Sequence, residues 1–273
     1  MADVLHEFQQ KKQKLAEILQ ISANQVSHLG HHAVARTLLA KRHEILERQF
    51  HVVVVGEFSS GKSTLLNALL GEKLLPAKMA PCTKAILEIQ YGERSILKVY
   101  RDGVERPEEH APSYLSEVGV LAARELDEIR KERAASEITR LALEVPNPPC
   151  DVGVTLLDTP GLNEHEERTR ITAERLPKAD ASIIVLRATD LLSKSERDFI
   201  QSEAKKEPVN RRWLENAFVV VTFADVATQD DEGELVPLKA RLDEFMDAVL
   251  PPGIARGRRF FIDARSALGK RAG

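Results

Sequence analysis

The chain has 273 residues, 43% hydrophobic and 30% charged, with 39 Lys and Arg against 42 Asp and Glu. That is enough for one large domain or a domain with an appendage, and a formal net charge of −3 lacks the basic excess of a protein built to grip nucleic-acid phosphates. Two cysteines, Cys82 and Cys150, exclude a disulfide framework and fit a reducing, cytoplasmic compartment; no apolar run approaches the ~20 residues of a spanning helix, and the N-terminus lacks the apolar centre of a signal peptide.

Over residues 4–46 the apolar positions Val4, Leu5, Phe8, Leu15, Ile18, Leu19, Leu38, Leu39, Ile45 and Leu46 recur at helical spacing, which predicts amphipathic helices broken near Gly30. Residues 1–49 are therefore expected to form an N-terminal helical segment, and residues 50–273 the main domain. At His51 the composition changes: four valines run into Gly56, a Ser/Gly turn and the helical TLLNALLG. Comparable strand signatures return at 153–157, 181–186, 218–222 and 259–262. Apolar runs without alternation suit strands covered on both faces, so the fold class is α/β, a mostly parallel central sheet flanked by helices.

Between Thr83 and Asp158, AILEIQYG and SILKVYRDG suggest extra antiparallel strands, with Asp102-Gly103 as a hairpin turn, and residues 125–138 suggest a solvent-facing helix. VPNPPCD then punctuates the chain. After the last strand too few residues remain for a closing helix, so the sequence has the look of the N-terminal part of something longer.

The string Gly56-Glu57-Phe58-Ser59-Ser60-Gly61-Lys62-Ser63, with Thr64 following, matches Gly, four residues, Gly-Lys-Ser between a predicted strand and a predicted helix. Glycines at both ends let the backbone curl around an anion, and the helix adds its positive N-terminal end. Lys62 is placed to reach β- and γ-phosphates, and the Ser63 hydroxyl to ligate Mg²⁺.

Four further pieces come in the order expected of a GTPase. Thr83, after Pro81 and Cys82, offers a hydroxyl that binds Mg²⁺ when a γ-phosphate is present and releases it afterwards. Asp158-Thr159-Pro160-Gly161 ends a strand, with Asp158 holding Mg²⁺ through water and Gly161 offering an amide to the γ-phosphate. Thr222-Phe223-Ala224-Asp225 ends another; the Asp225 carboxylate accepts from the two donors on the guanine edge, a pair adenine lacks. Ser266-Ala267 is the candidate for a backbone contact to the base.

VVVVGEFSSGKSTLLNALLG, PCT, LLDTPG and TFAD together resemble the bacterial branch of the dynamin superfamily of large GTPases, over roughly residues 51–267. The wide gap between Thr83 and Asp158 is similar to the enlarged dynamin-type G domain, and the N-terminal helices to a neck or bundle element. The resemblance implies GTP hydrolysis with Mg²⁺, pairing of two G domains across the nucleotide, and work on membranes such as fusion, fission or repair, with peripheral association through regions absent from this chain. It also implies that Ser59 organises charge near the β–γ bridge, alongside a monovalent cation. Phe58 stands where dynamin has a glutamine, and Phe223 where a lysine is usual; a phenyl ring can stack on a base instead.

Catalysis is assigned to Lys62, Ser59 and Thr83, which hold the phosphates and compensate charge. Leu162 cannot orient a water, so slow hydrolysis by the monomer and faster turnover in a dimer are expected. Arg168 and Arg170 are candidate cationic fingers or a solvated switch face. His28, His31, His32 and His43 lack ligand-spaced companions and suit an exposed cluster, and Lys11, Lys12 and Lys14 a solvated helix face. Two alternatives stay open: a nucleotide-gated scaffold with negligible hydrolysis, and a ribosome- or translation-associated GTPase.

Overall fold

The computed structural model describes residues 2–76, 86–117, 138–151, 153–159, 161–162, 176–207, 212–227, 235–250, 256–264 and 266. Helices α1 (Ala2–His28) and α2 (His32–Glu47) fold back on each other through a turn at Gly30, whose φ of +85° explains a residue without a side chain there. Small side chains close the hairpin: Ala16, Ala23 and Ala35 are buried, while Phe8, Leu15, Ile18 and Ile21 remain outside.

Then follow β1 (Phe50–Val55), α3 (Lys62–Leu70), β2 (Leu87–Tyr91), β3 (Ile96–Arg101), β4 (Glu108–His110), β5 (Ile138–Val145), α4 (Pro148–Asp151), β6 (Val154–Asp158), β7 (Ala181–Arg187), α5 (Lys194–Ala204), α6 (Arg212–Glu215), β8 (Ala217–Thr222), α7 (Ala224–Ala227), α8 (Leu235–Val249) and β9 (Arg259–Phe261). Among the described residues the strands make one nine-stranded sheet in the order β4-β3-β5-β2-β6-β1-β7-β8-β9. The block β6-β1-β7-β8-β9 is parallel throughout. The valines of β1 explain its central place, since successive residues serve opposite faces: Val53 and Val55 join a core with Trp213, Leu242 and Met246, whereas Val54 joins another with Leu65, Leu66 and Val185. Beside α3 the sheet keeps an open apolar groove of about 450 Å³, lined by Val52, Leu65, Leu69, Ile183, Val220 and Phe260.

The inserted region differs from expectation in two respects. β2 is antiparallel to β6 but parallel to β5. β5 itself, eight residues long with Leu141, Ala142, Leu143 and Val145 buried, takes in Ile138, which the sequence reading placed in a helix; the remainder of that helix lies outside the described residues. The Asp102-Gly103 turn lies in the connection between the antiparallel strands β3 and β4, with Gly103 at φ +71°.

Candidate functional site

The loop between β1 and α3 sits at the C-terminal edge of the parallel block, where ligands of open α/β sheets bind. Gly56 is fixed by close approach: a Cβ there would fall 2.3 Å from the Val185 carbonyl oxygen of β7. Gly61 has φ +92° and precedes α3 without a side-chain cap, leaving the first amides of that helix facing the loop. Ser59 also lies in the left-handed region, at φ +62°. The Lys62 ammonium curls over the loop and donates to the carbonyls of Gly56 (2.9 Å) and Glu57 (2.8 Å). Asn67 of α3 secures the segment behind it, donating to Leu75 O (2.8 Å) and accepting from the Leu74 and Leu75 amides.

β6 is parallel to β1 and delivers Asp158 opposite Val54. Asp158 is buried, and burial pushes its carboxyl up to about 6 while Lys62 pulls it down. Among the described residues its Oδ1 has no hydrogen-bond partner, nor does the buried Ser60 Oγ. An orphaned carboxylate oxygen beside a P-loop lysine fits a hydrated divalent cation, with Ser63 at the first turn of α3 as the second donor. Thr159 donates its hydroxyl to Val54 O (2.7 Å), and Leu162 its amide to Gly56 O (3.1 Å), drawing the DTPG loop against the P-loop. A Cβ on Gly161 would sit 2.7 Å from the Phe58 amide nitrogen, so the two loops meet backbone to backbone. Leu162 is buried and Phe58 is half-exposed. Thr83, Cys82, Arg168 and Arg170 lie outside the described residues.

At the end of β8, Thr222 is buried and its hydroxyl donates to Ser60 O (2.6 Å), with Leu186 O also in range at 3.1 Å. Phe223 follows at φ +56°, and Asp225 is exposed on α7. Gly61, Thr64, Phe223, Asp225, Asp263 and Ala264 line one shallow cleft, so P-loop and TFAD come together. Ser266 is exposed, with its amide and hydroxyl turned to the Asp263 carboxylate; Ala267 lies outside the described residues.

Sequence reasoning gave Glu57 no partner beyond the loop. Its carboxylate accepts from the hydroxyls of Ser193 (2.6 Å) and Ser195, which start α5. Ser193 also caps α5 reciprocally with Glu196. The Ser-x-x-Glu spacing is legible as a capping box, but its contact with the P-loop is not. Burial foremost, with Glu57 and Asp190 adding repulsion, pushes the Glu196 carboxyl up to about 7. At the opposite end of the sheet Asp180 accepts from Arg48 Nη2 (2.6 Å) and the His51 amide (3.1 Å), tying the helical hairpin to the sheet. Among the isolated signals, His28, His31, His32 and His43 are exposed, and burial pushes the Cys150 thiol up to about 11.

The model of the dynamin family matches residues 52–224. A bacterial dynamin-like protein of Nostoc punctiforme is 28% identical over 204 residues, covering 74% of this chain and 29% of that protein. Dynamin-like protein 2 of Campylobacter jejuni is 29% identical over 160 residues, covering 58% of this chain and 24% of the relative. A solved structure of an oligomerised bacterial dynamin pair, described as a mechanism for long-range sensing and tethering of membranes, superposes with a TM-score of 0.64 at 20% identity, covering 97% of this chain and 40% of that one. The chain thus spans well under half the length of these relatives.

Proposed function

The chain belongs to the dynamin family, and we propose that it is a GTPase in which guanine nucleotide and Mg²⁺ occupy the P-loop cleft, two nucleotide-bound G domains pair across that cleft, and the cycle drives remodelling of a membrane. The observation that carries this is the convergence on one edge of the sheet: an uncapped α3 N-terminus, the Lys62 ammonium, and a buried Asp158 oxygen without a hydrogen-bond partner among the described residues. Residues 1–49 form the helical element and residues 50–273 the G domain in this reading.

Lys62 exchanges its two carbonyl contacts for phosphate oxygens, and the amides of residues 60–63 surround the phosphates. Ser63, Asp158 and the switch residue Thr83 hold Mg²⁺, which supplies charge neutralisation at the β–γ bridge. Gly161 presents its amide to the γ-phosphate, Ser59 organises charge there together with a monovalent cation, and Ser266-Ala267 meets the base. Turnover is slow in the monomer, because neither Phe58 nor Leu162 can orient water, and rises when a second copy orders the switches.

Hydrolysis of GTP is measured across protein concentration, with GTP, GDP and ATP titrated for base preference. The proposal requires turnover per molecule to rise with concentration, a preference for guanine, and loss of binding in Lys62→Ala; concentration-independent turnover refutes the pairing. The described helices include none long and apolar enough to cross a membrane; in this reading the chain meets the membrane peripherally, through regions outside it. The buried Leu162, its amide committed to Gly56, favours one second reading, a nucleotide-gated scaffold with negligible hydrolysis. Single-turnover assays with and without liposomes separate the two.

A further inference from the structure

The side chains of Thr222-Phe223-Ala224-Asp225 offer a base no hydrogen-bond donor. The Asp225 carboxylate only accepts, and the Thr222 hydroxyl proton is engaged by the Ser60 carbonyl at 2.6 Å. Guanine presents acceptors, O6 and N7, as well as donors, and adenine replaces the first with an amino group. With Phe223 at the lysine position that segment presents no cation to the base, and a charged donor beside it would add to the backbone contact assigned to Ser266-Ala267.

Arg187 brings such a group next to Phe223. It ends β7, pairs in register with Thr222 of β8, and is exposed at the same sheet edge. Its guanidinium carbon lies 5.0 Å over the centroid of the Phe223 ring. That ring is held in place: its backbone is in the left-handed region, costly for a bulky residue, between an anchored Thr222 and the P-loop. A Cβ on Gly61 would stand 3.5 Å from Phe223 Cε2, so the ring edge lies against the glycine that begins α3.

We propose that Arg187 is a base-recognition residue, acting with Phe223 in place of a single lysine. Phe223 supplies the flat apolar face that a lysine stem would provide; Arg187 supplies the cation as a planar group that stacks on π systems and donates to purine acceptors. The division of labour favours guanine over adenine, because a guanidinium donor meets an acceptor at O6 and another donor at the adenine amino group. This rests on the guanine-nucleotide reading above.

The experiment measures dissociation constants for GDP, ADP and inorganic tripolyphosphate, in Mg²⁺, for the full chain and for Arg187→Ala, Arg187→Lys, Phe223→Lys and Phe223→Lys with Arg187→Ala. Arg187→Ala is expected to weaken GDP about tenfold, the upper range of a stacked cation plus a charged hydrogen bond, and to leave tripolyphosphate within about twofold. Arg187→Lys should recover only part of the loss, and in the Phe223→Lys background removal of Arg187 should cost under about twofold. Unchanged GDP affinity in Arg187→Ala, or equal weakening of GDP and tripolyphosphate, overturns the assignment while the parent chain's preference for GDP over ADP stands. No such preference in the parent chain brings down the guanine reading and this inference with it.

Discussion

Replacing Asp158 by asparagine should strengthen the empty protein and cripple the loaded one. Burial raises the carboxyl from its ordinary 3.8 to about 6, so the folded chain holds that proton more tightly than the unfolded chain. Between those two pH values the unfolded state loses its proton first, and stability falls as pH rises through the window. Above it, the folded protein carries a buried charge that costs ~3 kcal/mol relative to acid. Asp158→Asn removes this cost. Allowing ~1 kcal/mol for the new amide donor, the variant should gain ~2 kcal/mol at pH 7.5, roughly 5 °C in melting temperature for a chain of this size. The gain should shrink towards pH 4, where both side chains are neutral. Urea and thermal denaturation of nucleotide-free, Mg²⁺-free protein across pH 4 to 8 reads the gap, and titration with GDP and Mg²⁺ reads the loss of binding. A variant no more stable than the parent at pH 7.5, or a gap that does not close with acid, refutes the reasoning.

Gly56→Ala drives a Cβ into the Val185 carbonyl, a backbone atom that cannot swing away, and should cost over ~3 kcal/mol or leave no soluble protein, as solubility and circular dichroism would show. Ser193→Ala removes the α5 cap and one of two hydroxyls on Glu57; a loss of ~1 kcal/mol in urea denaturation is expected. Asp180→Ala leaves the Arg48 guanidinium and the His51 amide without their acceptor, and hydrogen exchange at residues 48–51 should accelerate about tenfold or more while the centre of β7 stays protected.

The parts of the site that follow from local sequence were legible, and the parts that follow from tertiary approach were not. Val52 to Val55, Gly56 and Gly61 announce a buried strand, a tight turn and a helix start because each effect is confined to a few neighbouring residues. Asp158 was placed correctly at a strand end, but its depth depends on β2 and β1, which flank it with Leu87 and Val54. Gly161 was assigned to the γ-phosphate by its motif; that it also permits backbone contact with Phe58 appears only when two loops 103 residues apart meet. β5 was missed because ITRLALEV mixes alternation with helix-forming Leu and Ala, and its partners on both sides decide the outcome. Glu57 and Arg187 carry no local signal at all: their partners lie far along the chain.

β7 explains why the hairpin and the base site can be mechanically separate. It is paired on both sides, to β1 through Val52–Val55 and to β8 through six consecutive residues, and it fills the space between Asp180 at one end and Arg187 at the other. A slip of one residue would turn its buried side chains to the opposite face, so the strand behaves as a spacer of ~20 Å rather than as a moving part. The hairpin is tied at the foot of that spacer by Arg48 on the Asp180 carboxylate, which also accepts from the His51 amide while the Asp180 amide donates to His51 O (2.9 Å), and at the foot of β6 by the Phe50 amide on Gly153 O at 2.7 Å. Any swing of the helices against the sheet must therefore be absorbed in residues 48–50. Arg48, already extended at φ −61° and ψ 118°, is where the helix stops and that rotation can be taken up. The Arg48 guanidinium is half in solvent but the Asp180 carboxylate is buried, so a swing that parts them leaves a buried charge without its partner and is resisted accordingly.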